Sequence, residues 1–216
     1  QNFKLIDNMI VSKSEPNSKT YDILNFVQHD VEQVKIPSYI KYISAYCFYK
    51  CNKLKSVMFD SKSQLVEIGE FSFSNTSIES IVLPIHLKKI CESAFENTTK
   101  LNKIVFPENS EIEFIGMSAF KNSSIISLIF PDNLTRIKPY AFFKCKKLTN
   151  VEFSKKSKLI KIRENTFNGT SISKITIPSG VIVIKDDAFA NCSKLKTVIF
   201  DKNSKLKQIS RGAFEN

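Results

Sequence analysis

The stretch ITIPSGVIVIKDDAFANCSKL, residues 175–195, alternates apolar, polar and apolar residues at Ile175, Thr176 and Ile177, breaks at Pro178, and carries Ala188-Phe189 ahead of Asn191-Cys192. That alternation has the period of a short β-strand, and a Pro just past its end removes no ladder bond. The same skeleton recurs along most of the chain. Phe stands at 48, 73, 95, 120, 142, 167, 189 and 214, in steps that alternate 25 and 22 and so define a 47-residue double unit. Ile lies five residues before each of them, at Ile43, Ile68, Ile90, Ile115, Ile137, Ile162, Ile184 and Ile209. An apolar triplet, such as Leu54/Val57/Phe59 or Leu195/Val198/Phe200, follows every one of these Phe residues but the last. Longer rungs carry extra loop residues, DSKSQ (60–64) and SKKSK (154–158), where shorter ones have PIH or PSG. One rung cannot bury its own apolar edge, so a fixed period of this kind signifies a solenoid with one continuous core.

The pattern predicts an α/β repeat. Eight rungs over residues 31–216 would each contribute one short parallel strand, ~4.8 Å from the next, and one short helical turn between the Ile and the Phe. The helical turn is inferred from IKPYAF (137–142): Pro139 suits a first helical position, and Glu70, Glu92, Glu164 and Asp186 share its column, where acids favour a helix N-terminus. Residues 1–30 lack the repeat register. They read as two strands around a Pro/Asn/Ser turn, a β-hairpin cap over the first rung. The chain opens at Gln1 and stops at Asn216 in mid-rung, so it is expected to be a piece of a longer protein, truncated at its C-terminus.

The pattern IxLPxxLxxIxxxAFxNCxxL, as it stands in residues 175–195, resembles the BspA-like leucine-rich repeats, surface proteins of oral bacteria and of mucosal flagellate parasites. The resemblance covers about residues 31–216. The alternation of 25 and 22, with the opening SKSEPNSKTYDILNFV (12–27), resembles the flagellate-parasite branch most. It implies a leucine-rich-repeat solenoid at the cell surface or secreted, an adhesin meeting host proteins, matrix or other microbes. Ordinary leucine-rich repeats place Asn just after the strand, whereas Asn75, Asn97, Asn122 and Asn191 follow the Phe by two residues. Ligand geometry from receptor-type repeats is therefore not carried over.

Chemistry-bearing residues are sparse. Cys51, Cys145 and Cys192 share the column three residues after Phe, where other rungs have Thr76, Thr98, Ser123 and Thr170; the exchange marks a small buried slot. Cys145 and Cys192 lie two rungs apart, about 9.6 Å, beyond the ~7 Å Cα limit for a disulfide. Cys47 replaces the Ala of an Ala-Phe pair, and Cys91 occupies a Gly/Ser column. Without a CxxC, and with only His29 and His86, the thiols are expected to be structural, with no metal and no cofactor. No nucleophile elbow, phosphate loop or paired carboxylates occur, so no enzyme is expected. The sequons at Asn75, Asn97, Asn122, Asn133, Asn168 and Asn191 are largely a by-product of the turn, in which Asn tolerates a left-handed backbone.

Charge supplies the first candidate site. Residues 1–108 hold 13 basic and 12 acidic side chains, and residues 109–216 hold 19 and 9, so nearly the whole net charge of +11 sits at one end. Within KCKKLTNVEFSKKSKLIKIR (144–163), Leu148, Val151, Phe153, Leu159 and Ile162 are core positions, which leaves no linear basic peptide free. Arg136, Lys138, Lys161, Arg163 and Lys185 flank the Ile column on three adjacent rungs, with Lys155, Lys156 and Lys158 on a long loop. They are a candidate strip for an acidic glycan or acidic protein. Without aromatic interleaving for base stacking, nucleic acid is disfavoured.

Met58, Val82, Val105 and Ile129, outward residues of successive strands, form a candidate protein-binding stripe. The expected function is macromolecule binding without catalysis. The alternatives are an intracellular interaction scaffold, or the scaffold of a larger protein whose catalytic domain lies elsewhere. No apolar run spans a membrane, so membrane attachment would need an anchor outside residues 1–216.

Overall fold

The computed structural model describes residues 2–216; Gln1, the first residue of the expected cap, lies outside them. The repeat forms a leucine-rich-repeat solenoid of eight rungs, each contributing two parallel strands where the sequence predicts one. The major strands are Gln33–Ile36, Ser56–Phe59, Ser80–Val82, Lys103–Val105, Ser127–Phe130, Asn150–Phe153, Lys174–Ile177 and Thr197–Phe200. The minor strands end on the Ile column: Tyr42–Ile43, Glu67–Ile68, Lys89–Ile90, Phe114–Ile115, Arg136–Ile137, Lys161–Ile162, Val183–Ile184 and Gln208–Ile209. At the N-terminus, Phe3–Ile6, Met9–Ser12 and Ile23–Val27 pair antiparallel in that order, and Ile23–Val27 then pairs parallel with Tyr42–Ile43. The first rung's minor edge is thereby closed. Met9, Val11, Leu24 and Val27 are buried against it.

The major ladder alternates in strength. Val34 pairs with Val57, Ile81 with Ile104, Leu128 with Val151 and Ile175 with Val198, each within a run of three or four pairs. The steps in between are longer by a single residue, and across them only Ser56 with Ser80 and Lys103 with Ser127 pair. Between Asn150–Phe153 and Lys174–Ile177 no residues pair, although the strands remain neighbours. The repeating unit is therefore a zipped pair of rungs, with a seam before the next pair.

The expected helical turn is not formed: no helix occurs among the described residues. In its place each rung has a staircase of tight turns, and the reason is local backbone geometry. Two residues before the Phe the chain is left-handed, at Tyr46, Phe71, Ser93, Ser118, Tyr140, Asn165 and Asp187. Two residues after it the chain is left-handed again, at Lys50, Asn75, Asn97, Asn122, Lys144, Gly169 and Asn191. An α-helix cannot run through such residues. The N–H groups that a helix would satisfy internally instead donate to the next rung, as Tyr46 to Glu70 O (2.9 Å), Phe48 to Ser72 O (2.7 Å) and Lys50 to Ser74 O (3.0 Å). This is a third inter-rung ladder.

Inside it the Phe rings stack. From Phe48 to Phe214 the successive centroids are 4.5, 5.0, 5.1, 5.3, 5.5, 5.3 and 5.2 Å apart. Both expected ladders are buried from Ile43 to Ile184 and from Phe48 to Phe189, but in the last rung Ile209 is 50% exposed and Phe214 only half-buried, because no rung follows them in this sequence. Phe142 touches Phe120 and Phe167 face to face and Phe130 edge-on at 5.7 Å. Phe142→Ala should therefore cost about 3–5 kcal/mol through the cavity it leaves. A wild-type denaturation midpoint for this variant would contradict its place in the stack.

Candidate functional site

The basic candidates lie on the minor sheet because they flank its inward Ile. Arg136 precedes Ile137 and Lys138 follows it; Lys161 and Arg163 do the same at Ile162, and Lys185 follows Ile184. Alternation along a strand points all of them outward while each Ile enters the core. Every ion pair among the described residues lies between residues 22 and 121: Lys41–Asp22, Lys55–Glu32, Lys88–Glu111, Lys89–Glu67, Lys121–Glu96 and the His86–Glu111 contact. From Arg136 onward no cation among the described residues has a carboxylate within ion-pair distance.

Arg136, Lys161 and Arg163 line a common cavity of about 170 Å³ with Thr135, Ile137 and Ile160. Arg163 also borders a second cavity of about 380 Å³, shared with Lys89, Cys91, Phe114, Gly116 and Lys138 and with the acidic residues Glu70 and Glu92. Gly116 is needed at its floor, since a Cβ there would collide with the Cys91 backbone. Lys156 and Lys158 do not join this group. They border a different cavity, about 700 Å³, with Ile129, Phe130, Asp132 and Asn133, and Lys158 Nζ donates to Asn133 Oδ1 at 2.9 Å. Lys155 is exposed on the same loop.

One aromatic ring joins the basic group, its face occupied by cations. Phe114 sits between Lys89 and Arg136 in the minor ladder. Arg136 Cζ lies 5.5 Å from its ring centroid, Lys138 Nζ 5.9 Å and Lys89 Nζ 6.0 Å. The ring's negative face attracts these cations and holds them in place. No linear reading shows this, because the partners belong to different rungs and stand far apart in the chain. Their positions beside the repeating Ile are the only signal that could have paired them.

On the major sheet Met58, Val82 and Ile129 are 48, 60 and 66% exposed, with Val105 half-buried among them. Met58 and Val82 border a cavity of about 570 Å³, and Ile129 borders the 700 Å³ cavity with Lys156 and Lys158. Both open at seams, where adjacent strands pair at a single residue.

The sequon asparagines are woven into the turns. Asn122 donates to Asn97 Oδ1 (2.9 Å), Asn191 to Asn168 Oδ1 (3.1 Å), Asn168 to Asn165 Oδ1 (2.8 Å), Asn75 to Ser74 Oγ (2.9 Å) and Asn133 to Ser110 O (3.0 Å). A glycan on any of these Nδ2 atoms would compete with that bond. All five cysteines are free and buried. The slot thiols donate to carbonyls of the preceding rung, Cys145 to Phe120 O at 3.1 Å and Cys192 to Phe167 O at 3.2 Å. In the same column Thr76 and Thr98 donate within their own rung, to Phe73 O and Phe95 O. Burial pushes the thiols of Cys51 and Cys145 up to about 11 and about 12, and burial with the Glu67 carboxylate pushes Cys91 to about 12. Among the described residues no three His, Cys, Asp or Glu side chains converge on a metal-sized site.

The repeat is recognised over nearly its whole length. The description "BspA type Leucine rich repeat region" matches residues 24–114 and 113–216, in six copies. The chain belongs to the BspA-type leucine-rich repeat family. A leucine-rich repeat protein of Bacteroides ovatus is similar in structure at 18% identity and a TM-score of 0.61, over 98% of this chain and 79% of that one. The T. pallidum leucine-rich repeat protein is similar at 21% identity and a TM-score of 0.64, over 89% and 80%. At these identities the likeness extends to the fold. Comparison with curated proteins gives no match.

In this BspA-type chain the thiols are buried, with Cys91 bordering the cavity of about 380 Å³, and they carry almost no thiolate at neutral pH. Alkylation of native protein at pH 8 should leave them unmodified, and all five should react after unfolding without reductant. A disulfide in the unreduced protein, or rapid native labelling of Cys91, would contradict these positions.

Proposed function

We propose that the chain is a non-catalytic recognition module at the cell surface or secreted, with residues 1–30 as cap and 31–216 as the binding rod. Its minor-sheet face takes up a polyanionic macromolecule, an acidic glycan or an acidic stretch of a host or microbial surface protein. One observation carries this reading: Arg136, Lys138, Lys161, Arg163 and Lys185 stand outward on three consecutive rungs without a carboxylate partner. Charges in neighbouring rungs repel over a distance that physiological salt, with a screening length of ~8 Å, only partly covers. A chain of anions laid along the rungs relieves that repulsion. The BspA-type family and fold agree with a binding role, and the surface placement follows the family resemblance.

The major sheet supports a second reading, a protein partner docked on Met58, Val82, Val105 and Ile129. The exposed Val82 and Ile129, each beside a seam cavity, favour it. Val82→Lys with Ile129→Lys should abolish capture of such a partner while changing stability by no more than about 0.5 kcal/mol per site. Unaltered capture would remove the stripe from consideration.

Heparin retention tests the first reading. An Arg136→Glu/Lys161→Glu/Arg163→Glu variant should elute at clearly lower salt than a Lys174→Glu/Lys196→Glu/Lys202→Glu control of equal charge. The slope of log affinity against log salt should fall by about 3, roughly one for each cation removed. Co-elution of the two variants would mean that net charge alone binds heparin.

A further inference from the structure

The minor sheet is continuous from the N-terminal strands to Arg136–Ile137, then stops and resumes at Lys161–Ile162. Rung length does not explain the break. The step between these strands is one of the longer ones, and steps of the same length pair Tyr42 with Glu67, Lys89 with Phe114 and Val183 with Gln208. What differs is that cations meet in both outward columns; where they meet in one column alone, Arg163 with Lys185, the ladder holds. Each of the intact longer steps brings together at most one cation in either outward column. At the break Arg136 meets Lys161 before the Ile, and Lys138 meets Arg163 after it.

The backbone records the same parting. Lys138 N–H donates to Ile115 O and Lys185 N–H to Ile162 O, both at 2.9 Å, whereas the equivalent bond from Arg163 to Ile137 is absent among the described residues. The turn ladder beneath stays closed: Tyr140, Phe142 and Lys144 donate to Glu164 O, Thr166 O and Asn168 O at 3.1, 2.9 and 2.8 Å. The opening is therefore local, within a rod that is zipped on its other side. Arg136, which lines it, is held by Phe114, as is Lys138 beside it in the neighbouring cavity.

We propose that this break is a discrete binding site for one tetrahedral oxyanion, a sulfate or phosphate ester carried on a larger ligand, clasped by Arg136, Lys161 and Arg163 in the cavity of about 170 Å³. The site rests on the reading of the minor face as polyanion-binding and narrows it to one position. Guanidinium groups present fixed forks of N–H donors that match such an oxyanion, and Lys161 adds a compact charge. A bound oxyanion supplies the ion-pair partner that none of the four cations has among the described residues and accepts the backbone donor left by the parted ladder.

Inorganic sulfate and inorganic phosphate, titrated against sodium chloride at matched ionic strength, test the site on the whole chain. Binding should saturate at one anion per chain and slow amide hydrogen exchange at residues 135–138 and 160–163 only. Arg163→Gln and Arg136→Gln should each weaken it by about tenfold or more, as expected for a lost charge-assisted hydrogen bond, while Lys196→Gln, at an exposed position outside the strip, should leave it unchanged. Heparin hexasaccharide and short-chain polyphosphate then separate the sources: the one whose affinity falls more in Arg163→Gln identifies a sulfate-ester or a phosphate-ester ligand. The proposal is overturned if both oxyanions act like chloride, if protection spreads evenly over all rungs, or if both Gln variants bind as wild type does. Heparin retention that survives such a result would leave the broader polyanion reading standing without this site.

Discussion

The stacking of one phenylalanine per rung is the constraint on which the rest of the rod depends. Centroid separations of 4.5–5.5 Å coincide with the ~4.8 Å spacing at which parallel strands exchange hydrogen bonds. Rings and ladders can therefore share one translation, and neither has to stretch to accommodate the other. In sequence number the steps between rings alternate 25 and 22, while those between major strands alternate 24 and 23. Each series returns after the same double unit, so the mismatch never accumulates. It is absorbed locally, at the rod's surface.

That absorption shapes the major face. Across the shorter strand-to-strand step the major strands pair in full; across the longer one they diverge after a single pair or do not pair. The 570 and 700 Å³ cavities open at two such seams. The apolar stripe is consequently divided into short segments, each between a long loop and a short one, so any protein docking there would meet repeated shallow clefts.

The minor face follows a different rule. Its strands pair equally well across short and long rungs, as Ile68 with Ile90 and Ile43 with Ile68, because the Ile column and the turn ladder hold each two-residue strand from both sides. Only one junction in this sheet parts, and it is the junction flanked by cations on both outward columns. A rigid core makes that arrangement possible: side chains on a flexible segment would move apart, whereas the Phe stack keeps the rungs together and leaves the repulsion uncompensated. Phe114 adds a further element, converting two of the cations into a fixed group.

Repeat length, the buried identity of the Ile and Phe columns, the small slot holding Cys51, Cys145 and Cys192, and the confinement of charge to residues 109–216 are all legible in the sequence, because each is a periodic property and periodicity survives without coordinates. The outward placement of Arg136, Lys138, Lys161, Arg163 and Lys185 is legible for the same reason. The turn before each Phe is not. Pro139 and the acidic column suit a helix as a local sequence, and only the bonds to the next rung, with the left-handed residues that permit them, make a staircase of turns instead. The second strand of each rung was equally hidden, since so short a strand carries no periodic signal. The meeting of Phe114 with Lys89, Arg136 and Lys138, and the parting of the ladder at Ile137 and Ile162, were decided by tertiary structure alone: they depend on which residues of different rungs stand at the same height, and that register is set by stacking rather than by distance along the chain.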